Sequence, residues 1–210
     1  MPDWEGRTLK QVTLEKRLGR GAMGEVYLGQ DQARGRPVAV KILHGHLLDD
    51  DALTPRFRAE AQAVAQIRHP SIVQVYDYDL ADDQPYLVME LVEGPSLAEH
   101  LTHLRRKGQR LPLETAARII SAVAAALDYA HKQGIVHCDI KPSNVLLRRH
   151  VGDDDTRLGE ADPLLTDFGV ARIADAMLRT SSSVVVGPPA YMSPEPAVMR
   201  EDAELVGERR

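Results

Sequence analysis

Two features near the amino terminus combine glycine and lysine in a pattern suited to phosphate. Residues 19–24 form a G-x-G-x-x-G sequence, and Lys41 lies inside the apolar run Val38–Leu43. Glycine lets backbone N–H groups approach a phosphate closely because it has no Cβ. A lysine among valines is costly to bury unless it pairs with an anion, although an exposed lysine on an edge strand is the ordinary alternative. Dinucleotide-binding folds place a helix directly after these glycines. Here Glu25–Leu28 continues as a strand, which favours a flap over nucleotide phosphates.

A second group of polar residues lies past the middle of the chain. The run 137–144 reads His-Cys-Asp-Ile-Lys-Pro-Ser-Asn, and residues 167–169 read Asp-Phe-Gly. Upstream, Glu60 lies on an apolar-striped helix, where it is either a partner for Lys41 or a solvated carboxylate. Residues 137–139 do not suggest a metal cluster, because adjacent side chains do not easily converge on one ion. We interpret His44-Gly45-His46 as a solvated loop.

Taken in order, these motifs resemble the protein kinase family, and specifically the bacterial eukaryotic-like (Hanks-type) serine/threonine kinases. The resemblance runs from about Gly6 to Glu195. It implies an α+β fold of two lobes, with a β-rich N-lobe that carries one helix and an incomplete helical C-lobe. It also implies ATP and Mg²⁺ as cofactors and a serine or threonine hydroxyl of a protein as the substrate.

The resemblance assigns roles to individual residues. Asp139 matches the base that orients the substrate hydroxyl, and Lys141 places a positive charge beside the migrating phosphoryl group. Asn144 and Asp167 match the Mg²⁺ ligands, and Met89 lies at the gatekeeper position. The ATP-binding residues are Gly19, Gly21 and Gly24 in the flap, Lys41 on the α- and β-phosphates with Glu60 as its partner, Val26 and Ala39 above the adenine, Leu146 beneath it, and the hinge backbone at Glu90 and Val92.

The elements that must position these residues are readable from hydrophobic periodicity. Apolar runs predict strands at Val12–Leu18, Val26–Leu28, Val38–Leu43, Ile72–Tyr78, Tyr86–Leu91, Val145–Leu147 and Leu164–Thr166. Thr54-Pro55 opens a helix whose stripe is Phe57, Ala61, Val64 and Ile67, and a second helix with the stripe Ala116, Ile120, Val123, Leu127 and Ala130 ends at Gly134. We therefore predict an N-lobe over residues 1–93, a partial C-lobe over 94–195 and a polar tail over 196–210.

Three departures from the family pattern leave the function open. Cys138 replaces the arginine that binds a phosphorylated activation loop, here the hydroxyl run 180–183, and Pro188 replaces a threonine. The chain also ends at Arg210, fifteen residues after Glu195, so we expect an uncovered apolar face around Ile119, Ile120, Val123 and Leu127, and a marginal C-lobe. The alternatives to a kinase are a pseudokinase or nucleotide-binding regulatory module, or an inactive truncated fragment. A partner chain that covers the incomplete lobe is a further expectation.

Composition excludes several broad classes. The 210 residues are 43% hydrophobic and 27% charged, which is typical of a folded globular protein and not of a disordered one. The formal charge of -5 gives no general attraction to nucleic acid, which we do not expect as a partner. Cys138 is the single cysteine, so no intrachain disulfide can form. We expect a cytoplasmic protein without a membrane segment in this chain.

Overall fold

A single antiparallel sheet dominates the first half of the molecule. The computed structural model describes residues 4–21, 24–44, 61–82, 84–149 and 161–168. Within these residues, the sheet has the spatial order β1-β2-β3-β4-β6-β5. Its strands are β1 (Thr8–Leu9), β2 (Val12–Gly21), β3 (Gly24–Asp31), β4 (Arg36–Leu43), β5 (Val75–Ala81) and β6 (Gln84–Glu90). The five strands predicted in this half of the sequence are therefore present, and β1 is a short addition.

Strand β4 lies inside the sheet and is buried on both faces. It pairs with β3 on one side and with β6 on the other, and every residue of 38–43 is buried. Val38, Val40 and Ile42 pack into one apolar cluster, whereas Ala39 and Leu43 pack into another on the opposite face. Because side chains alternate along a strand, Lys41 shares the face of Ala39 and Leu43. The continuous apolar run in the sequence is explained by this two-sided burial.

Helices dominate the part of the chain that follows the sheet. The helical residues are α1, described over residues 61–66, then α2 (Leu97–Arg106), α3 (Leu113–Lys132) and a 3-10 turn (Pro142–Asn144). Helix α2 starts with a capping box, in which the Glu99 backbone N–H donates to the Ser96 hydroxyl and the Ser96 N–H donates to the Glu99 carboxylate at 2.7 Å. Helix α3 ends just before Gly134, whose φ of +74° suits glycine. A two-stranded hairpin of β7 (Val145–Arg148) and β8 (Asp162–Leu165) completes the described lobe.

The buried side of α3 is rotated relative to the predicted stripe. Ile119, Ala126 and Ala130 are buried, whereas Ile120, a member of the predicted stripe, keeps 67% of its surface exposed. Val123 and Leu127 are half-buried. Ile120 is thus exposed, as the expected uncovered face requires, but Ile119, which that face also included, is buried. The placement of Ile120 in the core-facing stripe is wrong.

One apolar core joins residues from both halves of the molecule, and we call it the shared core. Its first-half members are Val64, Ile67 and Ile72, and its second-half members are Ile119, Ala126, Ala130, Ile135, Val145, Leu147, Ala161, Leu165 and Phe168. Backbone hydrogen bonds reinforce it, because Leu165 N–H donates to Ser71 O and Val73 N–H donates to Leu165 O, both at 2.9 Å. The hairpin β7–β8 is thereby fastened to the segment that leads into β5.

Several predicted features lie outside the described residues. They are Thr54-Pro55, Phe57, Glu60, the acidic run 153–155, Gly169, the hydroxyl run 180–183, Pro188, Glu195 and the tail 196–210. No helix among the described residues is both long enough and apolar enough to span a bilayer.

Candidate active site

The cleft between the sheet and the helical lobe is bridged by an ion pair. Lys41 Nζ lies 2.7 Å from Asp167 Oδ1, and the two side chains are 8% and 23% exposed. Lys41 comes from β4, whereas Asp167 follows β8, so the pair joins residues from two lobes. The sequence predicted Glu60 as the partner of Lys41; Glu60 is outside the described residues, and the described partner is Asp167. The buried lysine is therefore paired with an anion, as its cost of burial requires.

Asp139 is the centre of a second polar group in the same part of the molecule. Its Oδ2 atom lies 2.7 Å from Lys141 Nζ and accepts a hydrogen bond from Asn144 Nδ2 at 2.9 Å. Asn144 Nδ2 also donates to the backbone oxygen of Asp139 at 2.8 Å. Two residues that the resemblance assigned to the site, Lys141 and Asn144, are thus held on the carboxylate of a third, Asp139. The backbone N–H of Thr166 donates to Asn144 O at 2.9 Å, which brings Asp167 to the same loop.

His137 supports this loop from beneath. The ring is only 1% exposed and contacts Phe168 edge to face, with 4.6 Å between ring centroids. The Asp139 N–H donates to His137 Nδ1 at 3.2 Å, so Nε2 carries the proton of the neutral ring and donates to Thr166 O at 2.9 Å. Burial lowers the pKa of His137, with a smaller opposing contribution from the Thr166 hydrogen bond and the nearby aspartates. The packing role predicted for His137 is therefore incomplete, because the ring also orients two backbone segments.

Two residues beside the charged groups adopt left-handed backbone conformations. Cys138 has φ of +64° and Asp167 has φ of +65°, and neither is glycine. Such conformations cost about 1–3 kcal/mol and persist only where the surrounding structure imposes them. The hydrogen bonds of His137 and Thr166 lie next to both residues, and Cys138 directly precedes Asp139 in the loop.

An apolar cluster, the cleft cluster, lies next to these charged groups. Its buried members are Ala39, Leu43, Ala61, Val73, Leu87, Met89 and Leu164, and Val26, Val75, Tyr78, Leu91, Val92 and Leu146 pack against it. The cluster contains every apolar residue that the sequence assigned to the adenine pocket. The two sides of that predicted pocket come from different lobes, since Val26 and Ala39 lie in the sheet and Leu146 lies in β7.

The three flap glycines differ in what surrounds them. A Cβ on Gly24 would lie 2.1 Å from the backbone oxygen of Ile42, whereas a Cβ on Gly19 would meet nothing within 4 Å. The sequence assigned all three glycines to phosphate binding. The structure gives Gly24 a packing role as well, because β3 and β4 approach too closely there for any side chain.

His44 corrects a prediction. We interpreted residues 44–46 as solvated, but His44 is 8% exposed and its Nε2 lies 3.2 Å from the backbone oxygen of Gly21 in the flap. Position 44 directly follows the buried strand β4, and that continuation of the buried run was the signal available in the sequence. Gly45 and His46 are outside the described residues.

The hinge segment that follows β6 is held by polar groups that the sequence did not indicate. The Glu90 N–H donates to Gln74 O at 2.9 Å, and the Glu90 carboxylate pairs with the Arg148 guanidinium. Arg148 is the last residue of β7. Its position two residues after Leu146, on the same face of a strand, is the pattern that could have revealed it.

Comparisons with known proteins agree with this geometry. The protein kinase domain family matches residues 12–204. The serine/threonine-protein kinase Pkn1 of Myxococcus xanthus is 42% identical over 189 residues, which cover 89% of this chain and 25% of Pkn1. PrkC of Bacillus subtilis is 39% identical over 180 residues, covering 86% of this chain and 26% of PrkC. The chain thus spans about a quarter of the length of these curated relatives.

Solved structures show the same fold. The crystal structure of the Mycobacterium tuberculosis PknI kinase domain superposes with a TM-score of 0.67 at 36% identity, covering 80% of this chain and 63% of that domain. The predicted fold class, a two-lobed α+β kinase fold, is therefore confirmed. The resemblance stated from the sequence is confirmed as well: the chain belongs to the protein kinase family, among the bacterial Hanks-type serine/threonine kinases.

Proposed function

We propose that this protein is a serine/threonine kinase that transfers the γ-phosphoryl group of ATP to a protein hydroxyl. The observation that carries the proposal is the pair of contacts on Asp139 Oδ2, from Lys141 at 2.7 Å and from Asn144 at 2.9 Å. A carboxylate held in this way can accept the proton of a substrate hydroxyl. The hydroxyl oxygen then bonds to the γ-phosphorus as the bond to the β–γ bridging oxygen breaks, and ADP leaves.

The cationic side chains have complementary tasks in this proposal. Lys141 stabilises negative charge on the migrating phosphoryl group, because its ammonium is held beside Asp139. Lys41 is 8% exposed and is aligned by Asp167, and it would exchange that carboxylate for the nucleotide phosphates. The relatives named above are serine/threonine kinases, and Lys141 two residues after Asp139 is the choice of that class.

The donor set fits Mg²⁺. Asp167 supplies a carboxylate, and both hydrogen bonds described for Asn144 that involve its side chain use the nitrogen, which leaves the amide oxygen for a cation. Bound Mg²⁺ would neutralise charge on the phosphates. Among the described residues, no three histidine, cysteine, aspartate or glutamate side chains converge, so a cage made of protein groups alone is not part of the proposal. We place the reaction in the cytoplasm, where ATP is the abundant nucleotide.

The test compares two aspartate variants of the whole chain. Asp139→Asn should lower phosphoryl transfer from ATP to a generic protein substrate at least about a hundredfold, since a general base contributes that much or more. ATP binding, measured by calorimetry, should survive because Asp139 does not contact the nucleotide in this proposal. Asp128→Asn, on the exposed side of α3, is the matched control and should behave as wild type.

The remaining outcomes separate the alternatives. A wild-type protein that binds ATP with Mg²⁺ but transfers no phosphate would be a nucleotide-binding regulatory module, in keeping with Cys138 and Pro188. Equal transfer by wild type and Asp139→Asn would remove Asp139 from the mechanism. A second chain that restores activity to an inactive wild type would support the expected partner for the C-lobe.

A further inference from the structure

The hinge glutamate uses both of its carboxylate oxygens. Glu90 Oε1 pairs with Arg148 Nη2, and Glu90 Oε2 accepts a hydrogen bond from the Gln74 N–H at 3.4 Å. The two side chains of the ion pair are only 33% and 26% exposed, so solvent weakens the pair less than it weakens a surface pair. Glu90 therefore links the end of β6 to two other parts of the molecule.

Gln74 extends this network into the first lobe. Its Nε2 donates to Val75 O at 2.7 Å and to Ala65 O in α1 at 3.3 Å, and its Oε1 accepts from Arg68 at 3.3 Å. With these groups engaged, the backbone of Gln74 is fixed where it receives the Glu90 N–H. The N-lobe side of the hinge is thus rigidly connected to the segment after α1.

Arg148 makes the corresponding connection in the second lobe. It is the last residue of β7 and lies two residues after Leu146, the predicted floor of the adenine pocket. Two backbone bonds hold the far end of the hinge on the same strand, from Leu147 N–H to Pro95 O and from Arg149 N–H to Glu93 O, each 2.9 Å. The hinge is therefore fastened at its far end by main chain and at its near end by Arg148.

We propose that the Arg148–Glu90 pair is a positioning device that holds the hinge backbone at a fixed distance from Leu146 and so sets the affinity for the adenine ring. This inference rests on the proposed ATP-binding function. We call the space between the hinge backbone and Leu146 the slot. Val92 lies between the two fastened ends of the hinge, so the width of the slot depends on both ends. A slot preformed in this way loses less entropy when the base enters, which strengthens binding. Neither residue contacts the phosphates in this account.

The proposal makes a distinction between adenine and phosphate binding. Arg148→Gln should weaken the binding of adenosine and of ADP by the same factor, about three- to tenfold, because both ligands use the slot. A tenfold loss corresponds to about 1.4 kcal/mol. Lys41→Met should weaken ADP but leave adenosine unchanged. Arg148→Lys, which keeps the charge, should recover part of the loss.

The experiment measures adenosine and ADP binding to the whole chain by calorimetry. Lys132→Gln, which breaks an exposed ion pair with Asp128 on α3, is the control for loss of a cation and should bind both ligands as wild type does. The double variant Arg148→Gln with Glu90→Gln should bind both ligands no more weakly than whichever single variant has the lower affinity. The effects of two residues that act as a pair do not add. Thermal melting identifies any variant that fails to fold, and Arg148→Lys then serves in its place.

Unchanged adenosine affinity in folded Arg148→Gln would overturn the inference without touching the proposed function. If ADP affinity nevertheless fell in that variant, Arg148 would be assigned to phosphate. Failure of the wild type to bind either probe would instead overturn the proposed function, on which the inference depends.

Discussion

At the scale of a single residue, the neutral His137 ring connects two backbone segments through hydrogen bonds to Asp139 N–H and Thr166 O. Protonation of Nδ1 would abolish the hydrogen bond from the Asp139 N–H, since a protonated nitrogen cannot accept. Burial lowers the pKa of this histidine below its ordinary value. The placement of Asp139 is therefore coupled to the protonation state of a side chain that never meets the substrate.

The first prediction concerns stability at low pH. Because the unfolded chain protonates His137 near pH 6.5 and the folded protein resists it, His137 supports stability fully above pH 6.5 and less as the pH falls below that value. The free energy of unfolding should therefore decrease between pH 7 and pH 5, by no more than about 1.4 kcal/mol per pH unit from this residue. Replacing it in His137→Gln should flatten that dependence in urea unfolding followed by circular dichroism.

His100 provides the control for this measurement. It is 7% exposed, and burial is the main cause that lowers its pKa, with a smaller lowering by the nearby His103. His100→Gln should also flatten the pH dependence, but only His137→Gln should impair phosphoryl transfer, because the Asp139 N–H donates to His137 and not to His100. A pH dependence identical in wild type and His137→Gln would show that the ring does not titrate with unfolding.

Helix α3 shows, at the element scale, how far periodicity carries a prediction. Its end before Gly134 and its apolar character follow from the sequence, but the buried side was assigned to Ile120 when Ile119 is the buried residue. With alanines at 116, 117, 122, 124, 125 and 126, several neighbouring stripes satisfy the same spacing. Only the position of β8 and the shared core selects among them, and that information is not local.

The second prediction uses these two adjacent isoleucines. Ile119→Ala should destabilise the protein by about 2–5 kcal/mol because it leaves a cavity in the shared core. Ile120→Ala, at 67% exposure, should change stability by less than about 0.5 kcal/mol. The measurement is urea unfolding of both variants. Equal losses would mean that something covers Ile120 in solution, and a concentration-dependent midpoint would identify a second copy of the chain.

The flap shows which features can be recognised from a short stretch of sequence and which depend on contacts between strands. The glycine pattern and Lys41 are visible in the sequence because each carries chemistry in a short stretch. The packing of Gly24 against Ile42 O and the contact of His44 with Gly21 O are not visible, since they depend on the pairing of β3 with β4. The Arg148–Glu90 pair joins residues that are 58 positions apart, so the strand pattern that places Arg148 on the face of Leu146 does not by itself identify Glu90 as its partner.

The third prediction separates the two kinds of glycine. Gly24→Ala should lower the unfolding free energy by more than about 2 kcal/mol, because the new Cβ would lie 2.1 Å from a backbone oxygen and the strands must move apart. Gly19→Ala, with open space around it, should leave stability within about 1 kcal/mol and instead weaken ATP binding. Thermal melting and calorimetry on both variants make the comparison. Equal melting temperatures would contradict the packing role of Gly24.

The molecule as a whole is joined more tightly than a sequence with two dissimilar halves suggests. The shared core takes Val64, Ile67 and Ile72 from the first half and is completed by α3, β7 and β8. Backbone bonds between Leu165 and residues 71–73, and the two ion pairs across the cleft, add to it. The sequence predicted a marginal C-lobe beside an ordered strand lobe. A core with members from both lobes favours their loss in one step.

The fourth prediction is that the described lobes unfold together. Trp4 is the single tryptophan, is 3% exposed and packs in the sheet, so its fluorescence reports on the first lobe. Ellipticity at about 222 nm reports mainly on α2 and α3, which lie in the second. The two signals should give coincident urea transitions.

ADP binding provides a second measurement on the same two signals. With Mg²⁺ and ADP at about a hundred times its dissociation constant, the unfolding free energy obtained from each signal should rise by about 2.7 kcal/mol, because the proposed site takes residues from both lobes. Loss of the helical signal before the tryptophan signal would support the prediction of an independent, marginal C-lobe. If ADP shifted only one of the two transitions, the nucleotide would bind to that lobe alone.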